Sequence, residues 1–127
     1  MLTVISVGAG GFLGAVTRYL IAKATAGLSF SFPLGTLLSN VLAGFSIGFI
    51  IGSCENRWQL SDNVKHLLTT GLLGGLSTFS TFSMETVSLF SEKKYLLAAL
   101  NVLLNLALSI LGVVLGFALS RSLNLES

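Results

Sequence analysis

Four apolar stretches, Leu2 to Ala22, Leu34 to Ser53, Val64 to Phe90 and Tyr95 to Leu119, take up most of this chain. Each is near the ~20 residues that carry a helix across a bilayer. The runs are continuous rather than alternating, which argues against the alternating strands of a membrane barrel. Only 9% of the residues are charged and the mean hydropathy is +0.89, whereas an ordinary soluble domain carries about 25% charged residues. A soluble fold of 127 residues could not hide that much apolar surface. The pattern predicts an all-α membrane protein with four transmembrane helices, residues 1–127 forming a single domain. The triplet Ala24-Thr25-Ala26 resembles a signal-peptide cleavage site, but Met1 to Gly11 lacks the Lys or Arg with which such a signal begins, so no cleavage is expected.

The predicted connections are short: Lys23 to Pro33, Cys54 to Asn63 and Ser91 to Lys94. Cys54 is the single cysteine and has no intrachain disulfide partner. With four spans, Arg57, Lys65 and Arg121 fall on one side of the membrane and Arg18, Lys23, Lys93 and Lys94 on the other. Basic residues in short loops set topology, and three against four is almost no bias. A chain with so little preference is expected to insert both ways, and opposite copies can then assemble about a two-fold axis in the membrane plane.

Small residues mark the faces that pack. Gly10 and Gly14 pair on the first helix, Asn40, Gly44, Gly48 and Gly52 form a row on the second, and Gly112 and Gly116 pair on the fourth. Asn40 is unlike its neighbours in that row, because an amide at mid-helix depth in lipid needs a partner; Thr36 and Ser39 add to the polarity of this helix. Interhelical bonding and lining of a pathway explain Asn40 equally well. On the fourth helix Asn101, Asn105 and Ser109 fall at i, i+4 and i+8 along one face, an arrangement suited to a track for a polar or ionic solute.

The third span is interrupted by Gly71 to Glu85, GLLGGLSTFSTFSME. Gly74 and Gly75 each weaken a helix by about 1 kcal/mol relative to alanine. Ser77, Thr78, Ser80 and Thr81 compete for backbone hydrogen bonds, so the helix is expected to break near its middle. Irregular backbone at membrane depth is tolerated only inside protein or beside water, where it can bind ions. Phe79 and Phe82, three residues apart, would share a side, and the positive edge of an aromatic ring can face an anion.

This segment, with Gly11-Phe12-Leu13-Gly14-Ala15 and Arg18-Tyr19 in the first helix and Pro33-Leu34-Gly35-Thr36-Leu37 leading to Asn40 and Gly44 in the second, strongly resembles the Fluc (CrcB) family of fluoride channels. The resemblance covers essentially the whole chain. It implies an antiparallel dual-topology homodimer with two pores, in a prokaryotic inner membrane, that exports fluoride passively and holds a structural sodium ion at the dimer centre. It also implies roles for individual residues. Phe79 and Phe82 match the pore-lining phenylalanines, and Asn40 matches an amide that donates to the ion. Gly74 and Ser77 match the positions whose backbone carbonyls bind sodium, Ser77 standing where threonine is common. Thr78, Ser80 and Thr81 would form the polar break, Arg18 would lie near the pore entrance, and Asn105 and Ser109 would belong to the polar track. Glu85 is expected near the far end of the pore or at the membrane interface.

Other functions fit the residues poorly. His66 has no metal-ligand pattern around it, and no phosphate loop, HExxH or Ser/His/Asp set is present, so no enzyme is expected. A net charge of +2 is too small and dispersed for nucleic acid. The alternative is a proton-coupled transporter resembling the small multidrug resistance proteins, which depend on an acid in the first helix. Leu2 to Ala22 contains none, and only Glu85 could substitute.

Overall fold

In a computed structural model the chain is described over residues 1–28 and 31–125. Residues 29–30, within the predicted connection Lys23 to Pro33, and residues 126–127, at the end of the predicted domain, lie outside the described residues. Three helices are long and apolar enough to cross a membrane by length and composition: α1 (Leu2–Thr25), α2 (Leu34–Asn56) and α6 (Tyr95–Leu125). The last runs past its predicted end at Leu119 to Leu125, because nothing in Ser120-Arg121-Ser122-Leu123 stops a helix.

The third predicted span is not one helix. It comprises α3 (Asp62–His66), a π-helical segment (Leu67–Leu73), α4 (Gly74–Leu76) and, after a gap of two residues, α5 (Phe79–Ser91). The Ser61 hydroxyl caps α3 by accepting from the Val64 N–H at 3.4 Å. Asp62 in the first turn complements the helix dipole. At the other end of α5, Lys93 takes a left-handed φ of 62°, and Lys94 N–H donates back to Leu89 C=O at 2.9 Å. That geometry turns the chain into α6 within three residues.

Glycines set the register of the bundle. A Cβ on Gly10 would lie 2.7 Å from the Leu72 nitrogen, and one on Gly14 would lie 2.8 Å from the Leu76 nitrogen. The positions advance together, so α1 and the first half of the third span run parallel. Gly44 approaches Ser109 C=O, Gly48 approaches Val113 and Gly52 approaches Ser120, which makes α2 and α6 parallel as well. Short connections make sequential crossings antiparallel, giving an up-down-up-down order. The small-residue rows therefore serve contacts within the chain: α1 packs on the π segment and α4, and α2 packs on α6. Ala43, Leu73 and Leu76 form the buried apolar cluster, with Ile21, Ile47 and Ile50 against it. Most large apolar side chains on the remaining faces are exposed, as lipid-facing or interface surfaces require.

Candidate functional site

The helix break falls at Ser77 and Thr78, not at the glycine pair. Gly74 remains helical at φ −64°, ψ −35°, whereas Ser77 (−78°, 153°) and Thr78 (−152°, 121°) are extended. The reason lies in capping. Thr78 is the N-cap of α5, its hydroxyl accepting from Thr81 N–H at 3.2 Å and donating to Thr81 Oγ1 at 3.0 Å. Ser77 ends α4 by sending both its N–H and its hydroxyl to Leu73 C=O, each at 3.0 Å. Gly75 is small for a separate reason: a Cβ there would lie 2.6 Å from Gly11 C=O of α1.

The extended Thr78 backbone finds its partner in one side chain of α2. Asn40 Oδ1 accepts from Thr78 N–H at 2.8 Å, and Asn40 Nδ2 donates to Thr78 C=O at 3.3 Å. One carboxamide thus serves both backbone polar groups of an extended residue that no strand neighbours. The same Nδ2 donates to Asn105 Oδ1 on α6 at 2.8 Å. Asn105 Nδ2 in turn donates to Asn101 C=O at 2.8 Å and Asn101 Oδ1 at 2.9 Å. The predicted stripe on the fourth helix therefore exists, but Asn101 and Asn105 are buried and bond to each other.

Beside the break lies a cavity of about 410 Å³. Asn40, Asn105, Ser109, Phe79 and Phe82 all line it, together with Gly74, Ser77 and Thr78. The Phe79 and Phe82 rings sit 5.5 Å apart at 55°. Phe82 is 7% exposed and Phe79 is 74% exposed, so the cavity is walled by one ring and edged by the other at the surface of the chain. The Ser109 hydroxyl oxygen is shielded from solvent and has no hydrogen-bond partner among the described residues.

Among the carbonyls that the break deprives of helical donors are those of Gly74 and Ser77. In an unbroken helix Thr78 N–H would donate to Gly74 C=O and Thr81 N–H to Ser77 C=O. Both donors are diverted, to Asn40 and to the Thr78 hydroxyl. Gly74 presents open space on its Cβ side, with only Thr69 C=O at 3.8 Å. Freed carbonyl oxygens of this kind suit a hard cation. Another such carbonyl, that of Gly75, accepts from Arg18 Nε of α1 at 3.1 Å. Arg18 lines neither this cavity nor the smaller one described below, and substitutes for the donor that the break removed. Arg18→Met is expected to cost about 1–3 kcal/mol by stranding that carbonyl, read as a lower thermal unfolding midpoint of the purified protein in detergent.

Of the other sequence-derived residues, Thr81 belongs to the cap, and Ser80 is exposed and does not line the cavity. Glu85 is separate from the cavity. It accepts from the Thr36 hydroxyl at 2.8 Å and lines a second cavity of about 350 Å³ with Ser88, Glu92 and Lys94. Two residues escaped the sequence reading. Thr69, whose hydroxyl is turned to Lys65 C=O at 2.9 Å, lines the main cavity from the π segment. Thr86 accepts from Asn101 Nδ2 at 2.9 Å. Its place one turn after Phe82 was the available signal.

Known proteins are similar to this chain in sequence. The family model described as CrcB-like protein, Camphor Resistance (CrcB), matches residues 5–117. The fluoride-specific ion channel FluC of Clostridium novyi (strain NT) is 44% identical over 122 residues, covering 95% of each chain. That of Clostridium perfringens (strain 13 / Type A) is 46% identical over 124 residues and 97% of each chain. That of Pyrococcus abyssi is 47% identical over 112 residues, 88% of this chain and 90% of that one. With a match that begins in α1, passes through the break at Ser77 and Thr78 and ends in α6, the chain belongs to the CrcB family.

Proposed function

We propose that this chain is a fluoride channel through which the ion leaves the cytoplasm passively, working as an antiparallel homodimer of oppositely inserted copies in a prokaryotic inner membrane. The observation that carries the reading is the Ser109 hydroxyl, shielded and unpartnered at a cavity that also holds the Asn40 amide and the Phe79 and Phe82 rings. Fluoride is small and holds its water tightly, so a pore must offer donors in place of that water and still release the ion. A hydroxyl, an amide N–H and aromatic edges do this. Among the described residues, no Lys or Arg lines the cavity, which keeps binding weak enough for exit. Asn40 makes its longer bond, 3.3 Å, to Thr78 C=O, and that hydrogen is the one an anion in the cavity takes over.

The dimer rests on three supports. Exposed Phe79 and open Gly74 leave the cavity unclosed on one side, where a second copy can complete it. Arg18 reaches the break inside the bundle and so is not a loop charge. Removing it from the count leaves Lys23, Lys93 and Lys94 on one side against Arg57, Lys65 and Arg121 on the other, three and three. Equal charge gives no preferred orientation. The Gly74 and Ser77 carbonyls of one chain are too few for a hard cation, and two copies would double them. A sodium ion held there would supply positive charge beside the anion path.

The chain is a channel and not an enzyme. Weak acid HF that enters from an acidic medium ionises in a neutral cytoplasm, and outward fluoride flow down its gradient relieves the accumulation. The proton-coupled transporter alternative needs an acid in the substrate site, but Glu85 lies in the second cavity and bonds to Thr36. The test uses liposomes loaded with potassium fluoride, read with a fluoride electrode after valinomycin, with potassium chloride as the control load. The expected result is fluoride efflux without chloride efflux, unchanged when a protonophore collapses the pH gradient. Phe82→Ile is expected to slow it about tenfold, the loss of an aromatic contact worth about 1.4 kcal/mol. No efflux from well-folded protein overturns the channel, and efflux that requires a proton gradient favours the transporter.

A further inference from the structure

The carboxamides of α2 and α6 form a chain of hydrogen bonds that all point the same way. Asn40 Nδ2 donates to Asn105 Oδ1, Asn105 Nδ2 to Asn101 Oδ1, and Asn101 Nδ2 to Thr86 Oγ1, at 2.8, 2.9 and 2.9 Å. The Thr86 hydroxyl then donates to Phe82 C=O at 2.8 Å. Both ends set the same direction. Thr78 N–H can only donate, so Asn40 must present its oxygen there and its nitrogen outward. Phe82 C=O can only accept, so Thr86 must turn its proton to the carbonyl and its lone pairs to Asn101.

Asn101 and Thr86 line neither cavity, and Asn101 is fully buried. Resting on the channel reading above, we propose that Asn101 and Thr86 are positioning residues for conduction. They hold Asn105 with its oxygen toward Asn40, and thereby hold the Asn40 N–H at the cavity and α5 in the rotation that seats Phe82. Without the Thr86 hydroxyl, Asn101 Nδ2 has no acceptor and its amide is free to turn. A turned Asn101 presents N–H groups to Asn105 Nδ2, which its bond to Asn101 C=O keeps in place, so two donors meet and Asn105 loses one of its two acceptors. The strain displaces Asn105 Oδ1 from Asn40, whose own oxygen stays on Thr78 N–H. Low dielectric makes that mismatch costly.

Thr86→Val removes the hydroxyl with little change of shape and leaves both cavity walls as they are. It is expected to lower fluoride efflux roughly fivefold, the weight of one hydrogen bond. Thr86→Ser is expected to stay within about twofold of the unaltered protein, since it restores the link. Asn101→Leu combined with Thr86→Val is expected to conduct no worse than Asn101→Leu alone, the non-additivity of members of one network. Each variant is compared only where it elutes as the unaltered protein does on size exclusion. Unaltered efflux in Thr86→Val, or effects that multiply in the double variant, would overturn the proposal. A second readout is independent of transport. In protein labelled with ¹⁵N asparagine, the Asn40 side-chain resonances are expected to move in Thr86→Val and return in Thr86→Ser, and unmoved resonances would equally overturn it. Absence of efflux from the unaltered protein would instead count against the channel reading, leaving the resonances to decide the relay.

Discussion

Asn40→Leu is expected to reduce fluoride efflux about hundredfold or more. The variant strands Thr78 N–H and C=O at once, and each unpaired buried group costs about 1–3 kcal/mol. Two such costs reach the ~2.8 kcal/mol that a hundredfold change represents. It also removes the donor that faces the cavity. Asn40→Asp separates the two contributions. The carboxylate can still accept from Thr78 N–H, so the break stays clamped and the protein is expected to melt closer to the unaltered chain than Asn40→Leu does. It cannot donate to Asn105 or to an anion, and it adds negative charge at the cavity, so efflux is expected to vanish all the same. Full efflux from Asn40→Leu would show that Thr78 finds other partners and that the clamp is dispensable.

Gly14→Ala is the second large effect, and it acts on folding. The new methyl would run into Leu72 C=O and come within 2.8 Å of the Leu76 nitrogen and 3.0 Å of the Gly75 carbonyl carbon. All three are backbone atoms, which cannot turn aside as a side chain can. Overpacking ordinarily costs about 1–3 kcal/mol, and a collision with backbone at the mouth of α4 belongs at or above the upper end. The helix α1 must move outward, taking Arg18 from Gly75 C=O. A sharp fall in the yield of folded protein and in its unfolding midpoint is expected. Gly8→Ala on the same helix meets nothing within 4 Å and is the control. It is expected to be neutral or to stabilise by up to about 1 kcal/mol through helix propensity. Similar midpoints for the two variants would mean that α1 does not approach α4 this closely.

How much of this was legible in advance depended on how local each feature is. The three long helices follow from apolar runs, and the existence of a break follows from Ser and Thr competing for backbone groups, as Ser77 and Thr78 do. The glycine pair, which stays helical just before the break, has a different reason. Gly75 is there for the approach of α1, a contact with a residue 64 positions away, Gly11, that no local rule contains. The π-helical widening over Leu67–Leu73 had no visible signal in the chain. Arg18 read as a charge near an entrance, and its donation to a carbonyl 57 residues on was not visible in the chain. Asn101, Asn105 and Ser109 read as one track, whereas two are bonded into the relay and the third keeps a free hydroxyl.

The sequence alone determined that the chain is helical and built for a membrane, because hydropathy and periodicity act over a single segment and need no partner. It also carried a motif specific enough to name a family. The tertiary structure alone decided what each polar group does. In an apolar surrounding every N–H and C=O must find a partner, and which partner it finds depends on the packing of helices far apart in the chain. That is why the same amide type clamps a broken helix at Asn40, orients a neighbour at Asn105 and lies fully buried at Asn101.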